Sequence, residues 1–356
     1  MKTSLFSFCL ILFVSILRAQ NAEVKIDRNT AEKFYHKAKI EFAQFEKQHG
    51  NFIQTKNVRM HYLNWGKPTG IPLIWSHGSL LNAFEISPIA DNLVKAGYYV
   101  IAIDYYGHGL TGFPNHEVSL YHIADDIKFL MDKLKIKKAV IGGFSRGGYI
   151  SAAFYDAYPA SVLGLILEDG GSVSANTQYH RLSDTELKSE LKEFDTKNHN
   201  PWDTTYNTEF DAYYSIYDNS EKGNQFQSLA LLKKNNTGKW EIYSGLINLF
   251  HMSSSQDFMD LILRPTKVPL FAESMIMMEP KIIFRNLNVP VLILDPVNEN
   301  DPRPFEKENE ALHTQFPKLV THVIYPNIEH NILYAAPKKF TKDVIDFLQK
   351  IKADKR

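Results

Sequence analysis

Two rhythms alternate along the chain. Short continuous apolar runs stand at Pro72–Trp75, Tyr98–Ile103, Ala139–Ile141, Val162–Leu167, Val289–Leu294 and Val320–Tyr325. Between several of them, apolar residues recur at helical spacing, at Ile89–Lys95, Tyr121–Leu134, Gly147–Tyr158 and Phe340–Ile351. Runs that are apolar on both faces and separated by amphipathic helices predict a parallel sheet covered by helices, an α/β domain. Ahead of this region, residues 30–50 predict an amphipathic helix. Phe34, Ala38, Phe42 and Phe45 share one face, Asn29 can cap it with Glu32 three residues on, and Gly50 stops it. Two strand signals follow, at Phe52–Thr55 and Val58–Trp65.

One interval breaks the rhythm. About 120 residues separate Leu167 from Val289, whereas a crossover between parallel strands needs only about a dozen. Helix-like stretches occur within it at Asp184–Phe194, Gln225–Lys233 and Ser255–Leu263, with loop clusters at Asn198–Thr205 and Asn235–Gly238. Residues 172–288 are therefore expected to form a helical cap inserted into an α/β domain made of residues 51–171 and 289–356. Met275, Met277 and Met278 cluster in the insert. Methionine lines adaptable apolar pockets, although ordinary core packing explains such a cluster equally well.

The N-terminus follows neither rhythm. After Met1-Lys2-Thr3-Ser4 comes an apolar stretch, Leu5–Leu17, which holds 13 residues. A membrane-spanning helix needs roughly 20. A basic start, a short apolar run and a small residue at its end predict a secretory signal over residues 1–19, cut after Ala19. Residues 20–50 would then be an N-terminal helical extension, and no stable membrane span would remain. The chain of 356 residues carries 40 basic and 40 acidic side chains. Loss of Lys2 and Arg18 would leave 38 basic against 40 acidic, a net charge of −2. This balance argues against nucleic acid as a partner. The single cysteine, Cys9, lies in the signal and excludes both a disulfide framework and a cysteine-based zinc site. Export to the bacterial periplasm or the medium is the expected destination.

Residues 143–147 read Gly-Phe-Ser-Arg-Gly. This G-x-S-x-G follows the strand run Ala139–Ile141 and opens the helix Gly147–Tyr158, the setting in which a tight strand-to-helix turn exposes a nucleophilic serine. On these residues the chain resembles the α/β-hydrolases, in the cap-bearing branch of serine esterases, haloperoxidases and C–C bond hydrolases. The resemblance runs from about residue 51 to 351. It implies a mostly parallel eight-stranded sheet flanked by helices, and a triad in the chain order serine, acid, histidine.

The resemblance places the nucleophile at Ser145 and the base at His330, in the loop between the last strand run and the last helix. It places the acid past the strand Val291–Leu294, where the chain reads Asp295-Pro-Val-Asn-Glu299-Asn-Asp301-Pro302. Asp301 fits best by its Asp-Pro context and Glu299 is the alternative. Asp295 also stays open, as do Glu168 and Asp169, because some relatives take the acid from the preceding strand. The run Leu73-Ile-Trp-Ser76-His77-Gly78-Ser79 resembles the family's strand followed by His-Gly. It implies an oxyanion hole made by the backbone N–H groups of Ser79 and Arg146. His77 reads as a brace for that loop. The turn Asp104-Tyr-Tyr-Gly107-His108-Gly109 resembles another family turn, with Tyr106 where arginine is common. The Arg146 side chain either meets an anionic substrate or is solvated.

The implied chemistry is acyl transfer on a small carboxylic ester, with no metal and no cofactor. Cofactor-free haloperoxidase or perhydrolase chemistry and C–C bond hydrolysis use the same triad and remain alternatives. Aspartate would stand at the position of Ser145 in dehalogenases and epoxide hydrolases of this fold. A non-catalytic binding protein on the same fold is the reading from another class. Substrate identity and oligomeric state are not legible.

Overall fold

The computed structural model describes residues 26–189, 204–219, 223–242, 249–250, 254–299 and 304–353. The expected signal, Cys9, Asp301, the second half of the helix expected at 184–194 and the loop cluster around 198–203 lie outside the described residues.

The first element is helix α1 (Arg28–His49). Its cap is not Asn29 but Asp27, whose carboxylate accepts the Thr30 N–H at 3.0 Å. An extended residue with a short acceptor satisfies an orphan donor of the first turn, and here it starts the helix two residues earlier than the pattern suggests. Gly50 ends α1 and opens β1 (Gly50–Gln54), which pairs antiparallel with β2 (Arg59–Trp65).

The apolar runs become β3 (Ile71–Ser76), β4 (Tyr98–Ile103), β5 (Ala139–Phe144), β6 (Val162–Glu168), β9 (Val291–Val297) and β10 (Val320–Pro326). With β1 and β2 they form one eight-stranded sheet in the order β1-β2-β4-β3-β5-β6-β9-β10. All pairs from β4 to β10 are parallel, and the β1–β2 and β2–β4 pairs are antiparallel. Every residue of β4 and of β5 is buried, which explains why these strands read as unbroken apolar runs rather than alternations. Alternate side chains serve opposite faces. Leu73 and Trp75 pack with α2 (Ser87–Lys95) and the C-terminal helix α9 (Pro337–Ala353). Ile74, Ile101 and Ile141 pack with α3 (Leu120–Lys133) and α4 (Arg146–Ala157).

The insert between β6 and β9 is not wholly helical. It holds α5 (Glu209–Ser215), α6 (Ser255–Leu263) and α7 (Leu270–Ile276), but also the antiparallel pair β7 (Leu232–Lys234) and β8 (Trp240–Ile242). The stretch expected as a helix at Gln225–Lys233 is a 3-10 turn over Phe226–Leu231 that runs into β7. Met275 and Met278 belong to the buried core, while Met277 is exposed. Helix α8 (Glu306–Gln315) returns the chain to the sheet. Among the described residues no helix is long and apolar enough to cross a membrane.

Helix α1 joins the insert to the sheet. On the insert side Tyr35 Oη donates to Glu209 at 3.1 Å, Lys39 Nζ reaches the same carboxylate at 2.8 Å, and Asn224 donates to Glu41 at 2.8 Å. On the sheet side Phe45 packs on Trp65 of β2 and on Phe84, and Phe226 of the insert joins the same aromatic cluster. Below them the fully buried His61 stands between two carboxylates, 2.7 Å from Asp104 and 3.0 Å from Glu46 of α1. Asp104 also accepts the N–H groups of Ala83 at 2.6 Å and Leu110 at 2.9 Å. Burial alone would lower the His61 pKa, but the bonds to Asp104 and Glu46 outweigh it and raise it to about 9. A base whose pKa is raised on folding stabilises fully below its unfolded value, and this is lost as pH rises through the folded one. The unfolding free energy of the native chain, measured in urea, should therefore exceed that of His61→Gln most at pH 6, by roughly 3 kcal/mol. The gap should narrow progressively and be small above pH 9; a gap constant with pH would show that His61 is not charged in the fold.

Candidate active site

β5 ends at Phe144 and α4 begins at Arg146, so Ser145 alone turns the chain from strand to helix. Its backbone sits at φ 52° and ψ −115°, a sparsely populated region for a residue with a side chain. The turn is possible because the neighbouring backbones close in where side chains are missing. A Cβ on Gly147 would stand 1.8 Å from the Ser76 carbonyl oxygen, and one on Gly143 would stand 2.3 Å from the Gly147 carbonyl carbon. Strand β3 pairs with β5 in the register Ser76↔Gly143, so the loop after β3 lies directly beside this turn. The Ser145 N–H is held by the Glu168 carbonyl at 2.8 Å.

Three side chains form a hydrogen-bonded line. His330, in the loop after β10, has its Nε2 3.0 Å from Ser145 Oγ, and its Nδ1 bonds the Asp169 carboxylate. The ring of Phe144 packs 4.5 Å from the imidazole. Asp169 follows β6 in a left-handed conformation (φ 42°), with its N–H donated to the Leu294 carbonyl at 3.0 Å. All three side chains are nearly fully buried. A carboxylate on Nδ1 keeps the proton there and leaves Nε2 free to accept from the serine hydroxyl.

The carboxylate on His330 thus comes from the residue that follows β6. The order of expectation, Asp301 first and Glu299 second, is corrected: the place on His330 is filled by Asp169. Asp301 lies outside the described residues and Glu299 is exposed in the turn after β9. Asp295 is occupied elsewhere, accepting from His322 at 2.7 Å and Asn309 at 2.8 Å. The physical reason is adjacency in the sheet. β6 and β9 are neighbours with Glu168 opposite Leu294, so both strands end beside the histidine loop. A count along the chain cannot choose between two such ends; the sharp turn at Asp169-Gly170-Gly171 was the signal available.

The loop after β3 is fastened by neutral histidines. His77 Nδ1 donates to the Gly78 carbonyl at 2.6 Å, and its ring stacks on Tyr105 at 4.1 Å. Tyr105 Oη donates to the same carbonyl at 3.1 Å, and His108 Nε2 accepts the Leu80 N–H at 3.3 Å. Burial pushes His77 down to about 4 and His108 well below its usual value, so neither carries charge at neutral pH. The bracing role expected of His77 agrees with this geometry. Ser79 follows Gly78 in this loop, and the Arg146 N–H opens α4. Tyr106, standing where arginine is common, donates instead to Asp126 at 2.7 Å, and the Asp104 charge is met by His61.

Arg146 corrects the solvated alternative. Its side chain is buried, with the guanidinium 3.4 Å from the ring centroid of Phe250 and 5.8 Å from that of Phe271, both in the insert. The residue after the nucleophile therefore ties the turn to the insert. Among the described residues there is no group of three or more His, Cys, Asp or Glu side chains that could hold a metal ion.

Comparison with known proteins agrees with this architecture. The human "Serine hydrolase-like protein" is 32% identical over 107 residues, which cover 30% of this chain and 52% of that protein. The non-heme chloroperoxidase of Streptomyces lividans is 32% identical over 101 residues, covering 28% of this chain and 36% of that one. The chain thus spans about half or less of the length of these curated relatives. Among solved structures, an esterase from Exiguobacterium antarcticum superposes with a TM-score of 0.57 at 18% identity, over 84% of this chain and 99% of that one. E-2-(acetamidomethylene)succinate hydrolase superposes with a TM-score of 0.56 at 16% identity, over 84% and 98%. These similarities are of fold. The model of the alpha/beta hydrolase fold family matches residues 70–337, most of the chain, and the chain belongs to that family.

Proposed function

We propose that this protein is an exported serine hydrolase that cleaves a small carboxylic ester by acyl transfer. The observation that carries the reading is the line Ser145–His330–Asp169, set at the end of a strained strand-to-helix turn. His330 accepts the Ser145 proton as Oγ attacks the ester carbonyl, and Asp169 stabilises the imidazolium that forms. The N–H groups of Ser79 and Arg146 bind the oxyanion of the tetrahedral intermediate. The alcohol leaves with the proton returned by His330, and water then releases the acid by the same steps. The mechanism uses no cofactor and no metal.

Haloperoxidase-type chemistry is the second reading. It is favoured by the match to a non-heme chloroperoxidase and by the Gly-Phe-Ser run at the turn. Export rests on the apolar stretch Leu5–Leu17 with Lys2 ahead of it and Ala19 behind.

A fluorophosphonate probe should label the protein at Ser145, and a panel of esters of varied acyl length should contain a substrate. Ser145→Ala should lose roughly 10⁴–10⁶-fold in kcat; hydrolysis surviving that change would remove the serine from the chemistry. Asp169→Asn should lose roughly 10³–10⁴-fold, because the imidazole no longer keeps its proton on Nδ1. Asp301→Asn and Glu299→Gln should stay within about threefold of the native chain. The reverse ranking would return the acid to the loop after β9. Mass spectrometry of protein secreted from a bacterial host should find a mature chain that begins at Gln20; material retaining Met1 would refute export by this signal.

A further inference from the structure

Two buried carboxyl groups lie beside the triad, and the proposed acyl-transfer mechanism assigns them no role. Glu168 is the last residue of β6 and is fully buried; Glu85 sits in the 3-10 turn Ala83–Ile86 that follows the loop after β3, and is buried too. Glu168 Oε1 accepts the Leu333 N–H at 2.9 Å, in the turn Ile332–Ala335 that begins two residues after His330. Glu85 Oε2 accepts from Trp75 Nε1 of β3 at 3.0 Å. Burial raises both carboxyls, Glu85 to about 8 and Glu168 well above its usual range, and the Glu85 charge pushes Glu168 further. At neutral pH the pair therefore does not carry two charges.

The connections of Glu168 converge on the triad. Its backbone carbonyl holds the Ser145 N–H at 2.8 Å, its side chain holds the turn after His330, and the next residue is Asp169. One residue thus ties the nucleophile to the histidine loop, while its neighbour grips the imidazole. A neutral side chain with an acceptor of the right reach serves this purpose as well as a carboxylate does. A shorter side chain does not, because about 1.5 Å separates the acceptors of glutamate and aspartate along an extended chain.

We propose that Glu168 is a positioning residue of this active site: its side-chain oxygen, through the Leu333 N–H, sets the His330 loop so that the imidazole reaches Ser145 and Asp169 together. The proposal rests on the serine hydrolase reading. A displacement of about 1 Å in a group that must meet two partners costs on the order of 100-fold in rate, with little effect on substrate binding.

The test compares Glu168→Gln with Glu168→Asp on the ester found for the native chain. Glu168→Gln keeps the acceptor and its reach and should retain kcat within about threefold. Glu168→Asp keeps the acid but withdraws the acceptor, and kcat should fall about 10–100-fold with KM within about threefold. Labelling by the fluorophosphonate should slow in parallel with kcat. A role in stability alone would move the melting temperatures and leave kcat and labelling unchanged in folded protein. The proposal is overturned if Glu168→Asp keeps native kcat, or if folded Glu168→Gln loses more than about tenfold. Should Glu168→Asp fail to fold, Glu168→Gln alone carries the decision. Failure of the function reading shows separately, as a native chain inert to both probe and esters.

Discussion

Ser145 occupies a backbone conformation that costs about 1–3 kcal/mol relative to a relaxed turn, and the architecture around it keeps it there. Its N–H is satisfied by β6, its neighbours are glycines pressed on the loop after β3, and its helix α4 is packed against α3 and the sheet. Strands β3, β5 and β6 lie side by side and parallel, so three separate loops open at the same edge. That coincidence brings together the Ser145 turn, the loop carrying Ser79 and Asp169. The histidine arrives from two strands further along, at the end of β10.

Electrostatic order around the line comes from burial more than from charge pairing. His77 and His108 are held neutral and act as hydrogen-bonding struts for the loop after β3. Glu85 and Glu168 resist ionisation for the same reason. In a second layer hydrogen bonding outweighs burial: Asp104 is held below and His61 above its usual value, and Glu46 bonds the same ring. Neutral groups thus lie close to the Ser145–His330–Asp169 line, and the hydrogen-bonded pair Asp104–His61 lies behind them.

The insert is tied to Arg146, and α1 ties the insert to the sheet. Phe250 and Phe271 lie against the Arg146 guanidinium, so the insert is coupled to the residue that follows the nucleophile. Helix α1 binds the insert through Glu209 and Glu41 and binds the sheet through Phe45 and Glu46. Helix α1 is thus a strut between the insert and the sheet.

Much of this was readable along the chain. Strands buried on both faces are apolar at nearly every position, so β4 and β5 announced themselves as unbroken runs, and a strand, a glycine-flanked serine and a helix in succession marked Ser145. The position of His330 between the last strand and the last helix was equally local. The identity of the acid was not. Asp169, just after β6, and Asp295, in β9, are distant in sequence but stand at adjacent strands, and only the pairing of β6 with β9 and the path of the histidine loop decide which one reaches Nδ1. The burial of Arg146, Glu85 and Glu168 was hidden for the same reason. Charged side chains give no periodic signal of burial, and their partners come from elements far away in the chain. Local pattern determines which segments become strands and where the nucleophile turns; long-range packing alone determines which polar groups meet.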